Sequence, residues 1–154
     1  MRKNAFLLCI TIALLCFGVY FMVTTNDSNA AKLESGTTVT LDVYSGKPNP
    51  SWKLSREESE ELLKRLGVLA STEEQVAEFD GLGYREVQVV VIESGKEVAI
   101  SASQGFVKVQ RGGVQKRFVD SGRTVELWLV QSGERQLPPE LFKTVVARIT
   151  ATAR

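Results

Sequence analysis

Histidine is absent from all 154 residues, and the two cysteines, Cys9 and Cys16, both fall inside one apolar run near the start. Without histidine, Ser-His-Asp and Cys-His nucleophilic systems cannot be assembled, and neither can histidine-ligated zinc or haem sites. Beyond residue 23 there is no thiol, which removes thiolate nucleophiles, thiolate-bound metals and disulfides from the remainder. The phosphate-cradling patterns G-x-x-x-x-G-K-[ST] and G-x-G-x-x-G do not occur, nor does the S-x-x-K of a Ser-Lys hydrolase. An excess of one charge is missing as well: 19 Lys+Arg face 18 Asp+Glu, and setting aside Arg2 and Lys3 leaves 17 against 18. A balance so close to zero carries no electrostatic footprint for nucleic acid, and the short basic stretch from Lys108 to Arg117 reads as solvated strand faces. These absences leave carboxylate chemistry, carboxylate-bound Ca²⁺ or Mg²⁺, or no catalysis. They call for no cofactor.

What is present begins with Arg2 and Lys3 ahead of Ala5–Val23, nineteen residues without a charge. A helix rising about 1.5 Å per residue over that length nearly spans a hydrocarbon core of about 30 Å. Basic residues before the run favour a cytoplasmic N-terminus and an external remainder. Ser28 and Ala30 ahead of Ala31 also fit a cleavable signal peptide, although a signal core is usually about 7–15 apolar residues. Two readings stand: a single-pass anchor contacting the lipid bilayer through residues 5–23, or secretion after cleavage at Ala30. Both place the rest of the chain outside the cytoplasm. Leu8 and Leu15, not small residues, precede the cysteines, which argues against a lipoprotein signal. An exported domain without disulfides is more typical of bacteria.

Residues 24–36 are polar, small and aperiodic, as in a linker, and residues 37–154 are long enough for one self-supporting domain. Thr37–Tyr44 alternates, with Val39, Leu41 and Val43 on one face, and predicts a strand. Ser55 with Glu58 gives a capping box opening a helix with Leu62, Leu63 and Leu66 as its stripe and Gly67 as its stop. Ser71 and Glu74 repeat the pattern and predict a short second helix burying Val76 and Phe79, ending near Gly81. Tyr84–Glu93 is β-branched and apolar enough for a central strand. Strands at 97–101, 106–110 and 114–119 follow, the last two joined as a hairpin by Gly112-Gly113. Arg123–Gln131 has high β-propensity, yet Asp120-Ser121 resembles a cap and Gly133 a stop, so the spacing favours a helix. Pro138-Pro139 starts the final helix, whose stripe is Leu141, Phe142, Val145, Val146 and Ile149. The order predicts an α+β domain with a mainly antiparallel sheet and helices on one face, behind an N-terminal transmembrane or signal helix.

Acidic residues gather at Glu57, Glu58, Glu60, Glu61, Glu73 and Glu74. They read as first-turn residues complementing helix dipoles rather than as a catalytic pair. The segment from Ser45 to Trp52 (SGKPNPSW) is the most constrained. Pro48 and Pro50 fix two φ angles and push Lys47 and Asn49 toward extended backbone. Such a corner either docks Trp52 as an anchor or presents Lys47, Asn49 and Trp52 as a preorganised binding surface. The stretch Val43–Ser55 resembles an S-G-[RK]-P-N-P-x-W-x-L-S element of a group of uncharacterised, mostly bacterial proteins. Leu82-Gly83-Tyr84-Arg85 and the Asp-x-x-Arg-x-x-Glu of Asp120, Arg123 and Glu126 match the same group, with Glu86 departing from an expected glycine. The resemblance spans most of residues 40–130, implies one shared domain and transfers no chemistry. It also supports a helix over 123–131, since Arg123 and Glu126 would share a face.

Tyr84, Arg85, Asp120 and Arg123 complete the candidate binding residues. Arg85 or Arg123 would clamp an anion, or would pair with Asp120 or Glu126 to tie sheet to helix. The leading expectation is a non-catalytic binding or accessory domain at the cell envelope, its partner an envelope protein or ligand. The alternative is a small extracytoplasmic hydrolase, which requires two of Asp42, Asp80, Asp120 and Glu126 to converge in one cleft with Arg85 or Arg123.

Overall fold

The alternating and β-branched stretches assemble as a single antiparallel sheet. The computed structural model describes residues 36–74, 83–93 and 95–152. Seven strands form the sheet: β1 Thr38–Asp42, β2 Ser51–Lys53, β3 Ala70–Thr72, β4 Glu86–Glu93, β5 Lys96–Ser103, β6 Phe106–Arg111 and β7 Val114–Val119. Their spatial order is β2-β1-β4-β5-β6-β7-β3. Among the described residues there are three helices, α1 Arg56–Gly67, α2 Thr124–Ser132 and α3 Pro139–Thr152, with a short 3₁₀ turn at Ser121–Arg123 before α2. The architecture is α+β.

Strand register decides which face is apolar, because a one-residue slip would exchange the two faces. Across the sheet Leu41, Val87, Ala102, Val107 and Phe118 fall in one row, and Trp52, Val39, Val89, Ile100 and Val109 in the next. This face joins Leu62 of α1, Val125, Leu129 and Val130 of α2, and Val145 and Ile149 of α3 in one core. Leu41, Leu62, Leu129 and Ile149 are fully buried, and each such side chain contributes about 1.5–3 kcal/mol. The opposite face is polar, with Thr40, Gln88, Ser101, Lys108 and Arg117 in register.

Helix α1 starts as its sequence predicts. Ser55 Oγ accepts from the Glu58 amide at 3.1 Å, and Glu58 Oε2 accepts from the Ser55 amide at 2.7 Å. Glu60 and Glu61 pair with Arg56 and Arg65 on the exposed surface, which accounts for much of the first acidic cluster. The ambiguous segment before Gly133 is helical, and its cap is Asp120.

The expected helix opening at Ser71 is corrected. Ser71 lies in β3, paired with Phe118 of β7, and the Thr72 hydroxyl accepts from the Glu74 amide. Glu73 and Glu74 therefore follow a strand. The rest of that prediction, including Val76 and Phe79, lies outside the described residues, as do the apolar leader and nearly all of the linker. Among the described residues no helix is long and apolar enough to cross a membrane.

Chain order and sheet order differ in one informative way. Strands β2 and β3 are consecutive along the chain, separated by α1 alone, yet they occupy opposite edges of the sheet. The segment 51–72 thus straps the sheet from edge to edge. Along its course Ser59 donates to the Thr37 hydroxyl at 2.9 Å, and the Arg65 guanidinium stacks 5.1 Å from the Trp128 ring of α2.

Candidate functional site

The Pro-rich corner is held by Asn49. Its side-chain oxygen accepts from the Val43 and Tyr44 amides at 3.0 and 2.8 Å, and its amide nitrogen donates to Asp42 Oδ1 at 2.8 Å. Asp42 in turn receives Arg85 through Nε at 2.6 Å and through Nη2, which also donates to the Tyr44 carbonyl. A bidentate fork of this kind fixes guanidinium orientation as well as charge. It lowers the Asp42 carboxyl below its ordinary range, chiefly through the Arg85 hydrogen bond and against the effect of burial, with Asn49 adding to the lowering. The chain Asn49–Asp42–Arg85 therefore links two of the sequence elements singled out above into one support.

Trp52 has another task. Its indole is buried, Nε1 donates to Ser132 Oγ at 2.9 Å, and the ring lies directly over Gly133. Lys47 is exposed with its ammonium 3.7 Å above the Tyr44 ring centroid. Lys47, Asn49 and Trp52 consequently do not form one presented surface: one faces solvent, one binds backbone, one anchors the core.

A second network surrounds Glu126, which is fully buried. Arg123 Nε and Nη2 donate to its two oxygens at 2.8 and 2.6 Å, and the Tyr84 hydroxyl donates to Oε1 at 2.5 Å. Burial first, and then the Glu126 charge, push the Tyr84 phenol well above its ordinary range. Burial opposes the Arg123 charge, but its hydrogen bonds to Glu126 and the attraction of that carboxylate outweigh burial and raise its pKa. Asp120, also buried, accepts from the amides of Thr124, Val125 and Glu126 at 2.9–3.2 Å and from the Thr124 hydroxyl. This is an N-terminal cap, satisfying amides that a helix leaves unpaired. The expected sheet-to-helix pairing is thus refined: Arg123, in the turn before α2, pairs with Glu126 of α2, Tyr84 supplies the tie to the sheet side, and Arg85 pairs with Asp42.

The two networks meet at a cleft of about 350 Å³ lined by Tyr84, Arg85, Gln104, Arg123, Arg148 and Thr152. Tyr84 and Arg85 come from the entry to β4, Gln104 from the β5–β6 turn, Arg123 from the start of α2, and Arg148 and Thr152 from the end of α3. The Asp120 amide donates to the Gly105 carbonyl at 2.8 Å, which sets that turn beside the α2 cap. Arg123 also donates to the Thr152 hydroxyl. A Cβ added at Gly83 would come 3.5 Å from Arg148 Nη1. Gln104 (φ 52°) and Arg123 (φ 55°) are the two non-glycine residues with left-handed backbone among those described, and both line this cleft. Such conformations cost about 1 kcal/mol or more and concentrate at functional sites.

No family model, curated protein or solved structure matches this chain.

Of the residues expected from sequence, Tyr84, Arg85 and Arg123 converge on the cleft, Asp120 supports it, and Lys47, Asn49 and Trp52 do not line it. Gln104, Arg148 and Thr152 carried no sequence signal. A second concavity of about 340 Å³ lies on the open sheet face, where Glu86, Glu97 and Lys108 mix both signs of charge. Among the described residues no group of three or more potential metal ligands gathers.

Proposed function

We propose that this chain is a binding or accessory domain, not a catalyst, carried outside the cytoplasmic membrane by residues 5–23 and engaging its ligand at the Tyr84–Arg85–Arg123 cleft. The observation carrying this reading is the state of the candidate carboxylates among the described residues; Asp80 lies outside them. Asp42 is engaged by Arg85 and Asn49, Asp120 by three amides, and Glu126 by Arg123 and Tyr84. A general acid or base must hold or release a proton at the reacting group; these carboxylates are instead spent on orienting arginines and a helix. Membership of the group sharing the S-G-[RK]-P-N-P-x-W-x-L-S element belongs to the same proposal.

The test has two arms on the full chain in detergent micelles. Thermal shifts against a small-molecule panel should reveal ligands whose effect Gln104→Trp, which fills the cleft mouth, abolishes without lowering the unligated midpoint. Generic ester, phosphoester, glycoside and peptide substrates should show no turnover. Turnover removed by Asp42→Asn or Glu126→Gln would overturn the reading. Protease protection of residues 37–154 in intact cells would overturn the external placement.

A further inference from the structure

We infer that the sheet end carrying the β6–β7 turn rests on the bilayer that residues 5–23 enter, with Val114 as its apolar contact, and that the cleft end points away from the membrane. The inference rests on the anchored, external placement proposed above and is independent of what the cleft binds. Its first support is where the chain enters the fold. Pairing of Thr38 with Val90 puts Thr37, the residue before β1, level with Val91, Val98, Arg111 and Val114. The β4–β5 turn at Gly95 and the β6–β7 turn at Gly112-Gly113 lie beyond this row. Arg85 and the β5–β6 turn lie at the other end, Arg85 about 20 Å along the strand from Val91 at about 3.4 Å per residue. Thirteen steps separate Val23 from Gly36, at most about 45 Å of chain. The entry row is thereby kept near the bilayer, and a contact made there is intramolecular, so it needs little intrinsic affinity to be populated.

The second support is the set of side chains at that end. Val91 and Val98 of the entry row are buried in the core, whereas Val114 in the same row is 61% exposed. Every residue from Gln110 to Lys116 is exposed, so the hairpin projects past the covered part of the sheet. An apolar side chain on a projecting turn, with a lysine two residues on, suits a bilayer surface. The valine enters the boundary between headgroups and acyl chains, and the Lys116 ammonium meets lipid phosphate. Charge is the smaller contribution, because Arg111 is paired with Glu93 at 2.8 Å and Glu97 stands next to Lys96. The rival contact is Val68, which is 85% exposed. It lies two residues before Ala70, whose partner Val119 is at the cleft end, and seating it would turn the cleft toward the lipid. The entry point of the tether favours Val114, so the cleft meets its ligand from the aqueous side.

The test places the full chain, labelled with ¹⁵N, in nanodiscs of phosphatidylcholine and phosphatidylglycerol doped with a lipid whose headgroup carries chelated gadolinium. Amide signals of Gly95, Gly112, Gly113 and Val114 should be lost to paramagnetic broadening, and those of Gly83, Gly105 and Gly122 retained. Val114→Glu should restore the lost signals, while Val114→Trp should leave them broadened. Both variants should melt with the wild type, since the Val114 side chain lies mostly outside the core. Val68→Glu should leave the pattern unchanged. Broadening at Gly83, Gly105 and Gly122 as strong as at the β6–β7 turn overturns the inference, and so does broadening at that turn indifferent to Val114→Glu. In either of those outcomes a chain that copurifies with the discs leaves the anchored reading standing; a chain that does not enter the discs overturns both.

Discussion

Replacing Gly133 with alanine tests the packing that positions the Pro-rich corner. A Cβ at this position would lie 2.6 Å from both Cε2 and Cζ2 of Trp52 and 2.9 Å from Cδ2. Carbon atoms pack best at about 3.5–4.0 Å, so the indole or the end of α2 must retreat by about 1 Å. The ring has little room to do so. Its Nε1 is bonded to Ser132 Oγ, that hydroxyl donates to the Leu129 carbonyl at 2.7 Å, and Trp52 sits opposite Val39 in the sheet. Backbone strain plays no part, because Gly133 has φ −93° and ψ 4°, open to any residue. Reduced unfolded-state entropy alone would make Gly→Ala stabilising by about 0.4–1 kcal/mol. Overpacking costs about 1–3 kcal/mol, so the midpoints of the two ranges leave a net loss of about 1 kcal/mol. For a domain of this size that lowers Tm by about 4 °C per kcal/mol. Thermal and urea unfolding, followed by circular dichroism, measure it directly. In a Trp52→Leu background, itself destabilised, the added methyl should be neutral or mildly stabilising. An unchanged Tm for Gly133→Ala, or an equal cost in both backgrounds, would refute the contact.

Tyr84→Phe should remove a pH dependence as well as a hydrogen bond. The folded phenol titrates well above its unfolded value of 10.0, so above pH 10 the unfolded chain releases a proton first and stability falls by about 1.4 kcal/mol per pH unit. The variant should lack that component, so the wild-type-minus-variant stability difference should fall by about 1.4 kcal/mol per pH unit between pH 10 and about 11. Asp42→Asn acts at the other extreme. Because Arg85 lowers the folded Asp42 carboxyl below 3.8, its stabilisation is present above that value and lost as pH falls through the folded pKa; acid unfolding of wild type and variant should converge below it. Gln104→Asn, better suited to left-handed backbone, should raise stability by about 0.5–1 kcal/mol in urea titration. A loss instead would mean that the Gln104 side chain contributes to the fold.

Much of the fold was legible because the relevant signals are local. Alternation named β1, β-branched runs named β4, paired glycines named the β6–β7 turn, and Ser55 with Glu58 named the start of α1. The helical reading of Arg123–Gln131, observed as Thr124–Ser132, depended on Asp120, whose carboxylate serves three amides. The failures are non-local. Ser71 and Glu74 have the spacing of a cap, but Ser71 pairs with Phe118, a partner 47 residues away that no local pattern announces. Three-residue strands such as β2 are too short for periodicity to reveal. At the site, the arginine and tyrosine of the Gly83-Tyr84-Arg85 element could be singled out by their setting. Arg148 and Thr152, by contrast, look like ordinary polar positions of α3, and only tertiary folding brings that helix end to the cleft.

The strap formed by residues 51–72 makes the two edges of the sheet dependent on each other. In an ordinary meander each edge frays by itself. Here detaching β2 releases one end of α1, and detaching β3 releases the other, so neither edge is free to open without loosening the helix between them. Amides in the β1–β2 and β3–β7 ladders should therefore exchange with solvent hydrogen as one cooperative unit, with a shared opening free energy below that of the β4–β6 centre. The two edge strands are, in effect, one latch with two teeth.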